Sequence, residues 1–435
     1  MVGGYTQPAF LTQDSLQTPS FTDSAFFETV DISYTAAKGV SIGFTRCTFA
    51  QSLDADGIEA DLILDHCQCD SDVRIRGANC GGLILRGCSV GRELDLAKTR
   101  CGGFHAHYLR APAAYQFGPL FVKGACLLLQ AQFGARIHIE VEADDLDLSG
   151  AQFREGGHIL VDRAQVHLNQ LSAGAALHVS GRADRTPQPA ILSLQDADAG
   201  AMTLARVDLR GCLFYGSHNL GKVTIEPTVT FGTTPRWYYT RRDCIADEFA
   251  WRQHGGGFRS SAWSLPGCRR ASLKQTGDGT PTPVELPALR ASQMACVYRE
   301  LRRSFEAKSD EPGAADFYYG EMEMRRYNRE AGLAERLIVW IYWLISGYGL
   351  RSLRAFVCPT LLMVICGIIM SFDGFSTGPA NWQTGILYCI SAPFPSVYGE
   401  ISLTTLGRIV TVVVRVLSPI LFAMGLLAIR GRVKR

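Results

Sequence analysis

The chain has 435 residues, 43 basic and 41 acidic, for a formal charge of +2. That length exceeds one ordinary domain, and the near-neutral balance excludes a global electrostatic pull toward nucleic acid. The opening residues, MVGGYTQPAFLTQDSLQTPSFTDS, carry neither the basic stretch nor the apolar core of a secretory signal, so the bulk of the chain is expected in the cytoplasm. Residues 1–30 are read as an N-terminal segment. Of the fourteen cysteines, many recur at one position of an apolar repeat, and Cys358, Cys366 and Cys389 sit in apolar C-terminal sequence; they read as reduced core residues. Cys67-Gln68-Cys69 is too tightly spaced for zinc, and neither a metal site nor a cofactor is expected.

Within 31–232, read as a β-solenoid, a pattern recurs between Ser41 and Phe214: apolar, any, apolar, two variable, small, one variable, apolar. Leu62 to Cys69 shows it, followed by VRIRGANC from Val73, LILRGCSV from Leu83, LDLAKTRC from Leu94, LDLSGAQF from Leu146 and VDLRGCLF from Val207. Starts lie ten or eleven residues apart in the first four, which is two five-residue steps. Alternation predicts short strands, and the small residue predicts a corner too tight for a bulky side chain. Each unit must stack on its neighbours to bury its face. The pattern resembles the pentapeptide-repeat family, which implies a right-handed quadrilateral β-helix. His105 to Ala131 and Arg182 to Pro189 depart from it, predicting insertions or irregular coils. Asp144, Asp145 and Asp147 are the best carboxylates for a hydrolase, but alternation turns Asp147 outward, and no enzyme is expected. His138, His167 and His178 fall at outward strand positions, read as solvated surface.

Residues 233–288 change character. TPRWYYTRRDCIADEFAWRQHGGGFRSSAWSLPGCRR interleaves arginines with three of the six tryptophans. Guanidinium pairs with phosphate while aromatic rings stack on bases, so Arg236, Trp237, Tyr238, Arg241, Arg242, Trp251, Arg252, His254, Arg259 and Trp263 are the candidate ligand-binding residues. The competing reading is a cap over the solenoid's open end. KQTGDGTPTPVELP then reads as a linker. Over 289–332, Leu289, Met294, Val297, Tyr298, Leu301 and Phe305 predict an amphipathic helix, and a break at Ser309-Asp310-Glu311-Pro312-Gly313 precedes a second, giving a helical hairpin. YRELRRSFEAK and DFYYGEMEMRR resemble the segment before the membrane region in bacterial pentapeptide-repeat ion-channel proteins. The resemblance implies a coupling element there.

LAERLIVWIYWLISGY, within 333–350, is aromatic-rich but too short to span, and predicts an interfacial helix. In 351–435, apolar runs at about 355–372 and 409–429 predict two spans. Arg351 and Arg354 precede the first, Arg430, Arg432, Lys434 and Arg435 follow the second, and Asp373 to Glu400 holds no Lys or Arg. The positive-inside rule then places both termini in the cytoplasm of a multi-pass inner-membrane protein. Between the spans, the half-length apolar stretch from Trp382 and the loop that follows it to about residue 400 have the layout of a re-entrant pore segment, which implies a homo-oligomer, with four subunits the usual number.

The end of the chain resembles a potassium-channel pore domain: Tyr398-Gly399-Glu400, Leu406-Gly407-Arg408 and the Val412 to Val414 run match its filter exit and inner helix. Pro393, Phe394, Pro395, Ser396, Val397, Tyr398, Gly399 and Glu400 are the candidate filter; Arg408, Arg415 and Pro419 the candidate inner pore. Val397 stands at the first filter glycine, where a β-branch resists positive φ, so potassium selectivity does not carry over. Arg415 lies within a span, where an unpartnered arginine costs roughly 2.5 kcal/mol or more, so it is expected to face a watery pore or to pair, with Glu400 or a neighbouring subunit as candidates. The fold class expected is thus a multidomain membrane protein: β-solenoid, α-helical hairpin, and two-span pore domain with a re-entrant loop. The function implied is a ligand-gated ion channel in the lipid bilayer, its ligand a nucleotide or short oligonucleotide, serving bacterial defence or stress; a membrane-anchored scaffold for a cytoplasmic protein partner is the alternative.

Overall fold

In a computed structural model of the chain, the residues described are 19–36, 39–235, 241–253, 273–275, 281–283, 290–376, 380–393 and 402–433. They belong to two compact units, Met1–Phe317 and Tyr318–Arg435.

The first unit is a β-solenoid of about ten coils. Its strands form parallel sheets of fifteen, eight and four strands along the flanks. Leu62, Leu83, Phe104, Cys126, Leu146 and Val166 are register partners on successive coils, and none is more than 1% exposed. Partners lie twenty to twenty-two residues apart, so one coil consumes two of the repeats read from sequence and has four sides of about five residues. Each rung hides an apolar side chain from water on both faces, worth roughly 1.5–3 kcal/mol per side chain. The cysteines Cys47, Cys67, Cys69, Cys80, Cys88, Cys101 and Cys126 are buried and free, acting as small apolar residues of the interior. Burial pushes the Cys69 and Cys101 thiols up to about 12.

The corner is made differently from the expectation. The small residue of each repeat, such as Cys67, Cys88 or Ala151, points inward and is buried. The turn itself is made by the residue before it, in left-handed backbone: His66 (φ 54°), Gly87 (62°), Tyr108 (59°), Gln130 (54°), Gly150 (73°) and Gln170 (53°) form one corner column. Left-handed backbone costs a non-glycine residue about 1–2 kcal/mol. Each corner N–H offsets this by donating to a carbonyl on the next coil, as in His66 to Arg86 (2.7 Å) and Gln130 to Ser149 (2.8 Å).

The first coil starts with the strand Ser20–Thr22, ahead of the boundary expected at residue 31. Phenylalanines do there what aliphatics do later: Phe21 stacks on Phe44 and Phe26 on Phe49, both at 5.1 Å between centroids. The two irregular stretches read from sequence are visible. The register slips between Phe117 and Leu120. Beyond Gly181 the chain detours before rejoining the stack at Ala190–Ser193, and Arg182 and Arg185 from the detour pair with Glu140 (2.7 Å) and Asp162 (3.3 Å).

Helices follow: α1 (Ala246–Gln253), α2 (Ala291–Ala307), α3 (Glu311–Tyr327), α4 (Leu333–Ser346), α5 (Ser352–Asp373), α6 (Trp382–Ser391) and α7 (Thr405–Val433). Asp310 starts α3, its carboxylate accepting the Gly313 N–H at 3.1 Å. α5 and α7 are long and apolar enough to cross a membrane, and only 39% and 22% of their apolar windows are buried. A core helix of a soluble protein would be mostly covered, so these exposed apolar faces suit a lipid surround.

Leu177 and His178 are neighbours on one strand, the first fully buried and the second outward. Leu177→Ala should therefore cost about 2–5 kcal/mol, and His178→Ala less than about 0.5 kcal/mol, read as midpoint shifts in urea unfolding.

Candidate functional site

Three constellations bring together the chemistry-bearing residues. The first closes the solenoid. After the last coil, the chain forms a short antiparallel pair, Gly232–Thr233 with Asp243–Cys244, and enters α1. The Asp247 carboxylate accepts the N–H groups of Phe214 (2.9 Å) and Tyr215 (3.1 Å). From α2, Ser304 donates to the Val223 carbonyl (2.7 Å) and Lys308 to the Ile225 carbonyl (2.9 Å). Backbone groups left unpaired by the final coil thus gain partners. Beneath them Glu248, fully buried, takes two bonds from Arg242 (2.6 and 2.9 Å), one from Arg252 Nε (2.8 Å) and one from the Tyr298 hydroxyl (2.5 Å).

Of the candidate ligand residues, Arg242 and Arg252 are therefore buried and committed to Glu248, while Trp251 is half-buried and lies 5.7 Å from the Arg252 guanidinium. Arg241 is exposed. Arg236, Trp237, Tyr238, His254, Arg259 and Trp263 lie outside the described residues. The described part of this segment packs on the last coil through Asp247, with Arg242 and Arg252 buried and not facing water as a simple cap would have them. Burial would raise the Glu248 pKa, but Arg242 and Arg252 outweigh it and hold the carboxyl at about 2. Burial pushes the neighbouring Asp247 up to about 6, against its backbone bonds.

The second constellation belongs to the second unit. Arg326 on α3 is buried, its guanidinium 4.4 Å from the Trp343 ring, 4.7 Å from Trp340 and 4.8 Å from Tyr327. It donates to Glu323 (2.8 Å), which also accepts the Tyr348 hydroxyl (3.2 Å), and Trp343 donates to the Tyr319 hydroxyl (3.2 Å). Burial and then Glu323 push the Tyr348 phenol far above its ordinary range. This box fastens α3 to α4. Sequence reading missed it, although Glu323 and Arg326, and Trp340 and Trp343, are each three apart on one helix face. Of the other apolar residues of α4, Val339 is buried, while Leu333, Leu337, Ile338, Ile341 and Leu344 are exposed.

The third is the apolar helix set. α6 has ten residues, about 15 Å of helix, half of a hydrocarbon core. It lies against α5 with almost no side chain between them: a Cβ built on Gly385 would sit 2.1 Å from the Gly367 carbonyl oxygen. Gly407 of α7 approaches Gly374 as closely, at 2.2 Å on the same measure. Thr404 caps α7, accepting the Gly407 N–H (3.1 Å) and donating to the Asp373 carbonyl (2.6 Å). A buried stripe of Gly407, Thr411, Val414 and Ser418 faces this contact. Cys366, Met370, Phe375, Cys389, Ala392 and Val414 form its core.

Arg415 is placed by this packing. Its Nε donates to the Ala392 carbonyl at 3.0 Å, the residue that ends α6. A cation at a helix C-terminus complements its dipole, worth about 0.3–2 kcal/mol depending on burial. Arg408 is exposed one turn pair earlier, and Pro419 lies within α7. Pro393 is half-buried; Phe394 to Glu400 lie outside the described residues, so the pairing of Arg415 with Glu400 does as well. Among the described residues no group of three or more His, Cys, Asp or Glu is placed to hold a metal ion. His138 and His178 do lie outward, in register with His158 between them, and Asp145 and Asp147 are half-buried on their strand.

Compared with family models, curated proteins and solved structures, the chain matches none.

Two outcomes follow. Glu248→Gln should destabilise the first unit by about 3–5 kcal/mol, because two buried guanidiniums lose their counter-charge. In the unaltered chain the Glu248 contribution, complete above pH about 4.5, is lost as pH falls toward about 2; Asp247 acts oppositely, its protonated form favoured until pH passes about 6. Acid titrations followed by near-ultraviolet circular dichroism should show the low-pH slope flattened in Glu248→Gln. Gly385→Leu should force α6 off α5 and abolish a cooperative melt of the second unit in detergent, whereas Leu387→Ala, on an exposed face, should leave it within a few degrees.

Proposed function

We propose that the protein is an oligomeric ion channel of a bacterial inner membrane, gated by a ligand at its solenoid unit. The observation that carries this reading is α6: a helix too short to span, set against α5 between two apolar helices and anchored at its C-terminus by Arg415. A simple tether has no use for a half-length helix folded back between its spans. Irregular backbone after such a helix is tolerated at membrane depth only where it lines water or is buried in protein. One copy of two spans encloses no path, so several copies, four in the usual arrangement, would surround it. The termini would be cytoplasmic, and α4 would lie in the headgroup layer with its exposed leucines and isoleucines in lipid.

The gating link in this proposal is the Arg326 box, which joins the last turns of α3 to the helix preceding the first span. The ligand, a nucleotide or short oligonucleotide, would use Arg241 and the arginines and aromatics that flank the cap, since Arg242 and Arg252 are occupied by Glu248. Conductance as a response to that ligand would suit a defence or stress effector.

Arg415 would serve two ends at once: it caps α6, and repeated around a symmetric axis it would favour anions over cations. Purified chain in planar bilayers should pass current in the presence of a nucleotide or short oligonucleotide, with Arg415→Gln moving the reversal potential away from the chloride equilibrium value under a chloride gradient. Absence of conductance from the pure oligomer under any of these ligands overturns the channel; an unmoved reversal potential leaves Arg415 as a cap alone.

A further inference from the structure

We propose that a polar groove on the flank of the solenoid, centred on the corner at Gly150, binds a polyhydroxylated ligand of the carbohydrate class carrying at most one acidic group. The groove measures about 360 Å³. It exists because of one missing side chain. Gln130, Gly150 and Gln170 occupy the same left-handed corner on three successive coils, and the glycine leaves room between two glutamines whose backbones stand about 9–10 Å apart along the stack. A Cβ on Gly150 would lie 2.9 Å from Gln130 Cγ, so the Gln130 side chain leans over the glycine and a larger residue there would displace it.

The floor is supplied by the adjoining sheet, where Gln132 and Gln152 are direct register partners and Arg110 pairs with Gln132 from the coil before. Tyr108 closes one end, 58% exposed. Among the described residues, none of these side chains has a hydrogen-bonded or ion-paired partner. That sets the groove apart from the charged columns elsewhere on the solenoid, where Arg74 bridges Asp54 and Asp72 and Arg76 meets Asp95.

The chemistry of the lining selects the ligand. Each primary amide offers an acceptor and two donors, which matches a hydroxyl that both donates and accepts; four amides in one groove match several hydroxyls held in fixed geometry. The Tyr108 ring gives the apolar C–H face of a sugar ring a surface to lie on, with its hydroxyl as a further polar contact. No carboxylate lines the groove, and a single guanidinium is present. A polyanion would leave charge unmatched, whereas one carboxylate or phosphate could pair with Arg110.

This inference does not depend on the channel reading, and its test needs no membrane current. The full chain, in a detergent without a sugar headgroup, would be probed by saturation-transfer NMR and calorimetry with maltotriose, cellotriose and sialyllactose, a trisaccharide with a single carboxylate. At least one should bind, with a tenfold or greater loss of affinity in Gln132→Ala/Gln152→Ala and in Tyr108→Ala. Arg110→Ala should weaken sialyllactose selectively. All these side chains point outward, so melting should match the unaltered chain; Gln170→Ala, away from the floor, is a second probe should the double variant melt early. Binding of none of the three, or binding unchanged in both the floor and the Gln170 variants, overturns the proposal.

Discussion

Backbone polar groups that run out of strand or helix to pair with are the constraint on which this protein is built. A coil of the solenoid is satisfied only by the coils on either side, and a helix leaves its last carbonyls open. The chain meets the problem twice with the same remedy, a charged or polar side chain brought in from a later helix. Asp247, Ser304 and Lys308 serve the final coil. Arg415 serves the end of α6. In each case the partner is distant in sequence, so closing the element also fixes the tertiary arrangement around it.

The buried ion clusters follow from this. Placing Asp247 against the last coil carries α1 inside, and Glu248 beside it arrives buried; Arg242, Arg252 and Tyr298 are what make that tolerable. Glu323 and Arg326 do the equivalent between α3 and α4, with indole faces taking the place of water around the guanidinium. Such sites are poor sources of net stability but intolerant of alternative partners, which suits positions where one helix must meet another in one register.

Much of the solenoid was legible because its period is enforced by the apolar interior: Leu62, Leu83 and Leu146 announce themselves. Phe21 and Phe26 did not, since two phenylalanines in a polar stretch carry no alternation, and only their stacking on Phe44 and Phe49 shows them as rungs. The corner was half legible. Inward residues there must be small, which sequence displays, but the left-handed residue ahead of them can be His, Tyr or Gln because its side chain leaves the fold altogether. In the basic, aromatic segment, composition pointed both to a ligand and to a cap. It could not tell an exposed arginine from one whose carboxylate lies six residues on, as Arg242 and Glu248 do. The half-length helix was readable from its length, while its anchor was not, because the Arg415 to Ala392 bond joins a side chain to a backbone atom and leaves no complementary residue to notice.

The detour beyond Gly181 shows what the stack counts. Leu177 pairs with Met202 and Val179 with Leu204, although the coil between them is longer than its neighbours. The extra residues bulge outward and the ladder resumes on the same rung. Position in this fold is therefore kept by storey and not by residue number, so a coil can carry an annex, here armed with Arg182 and Arg185, without the storeys above it losing their alignment.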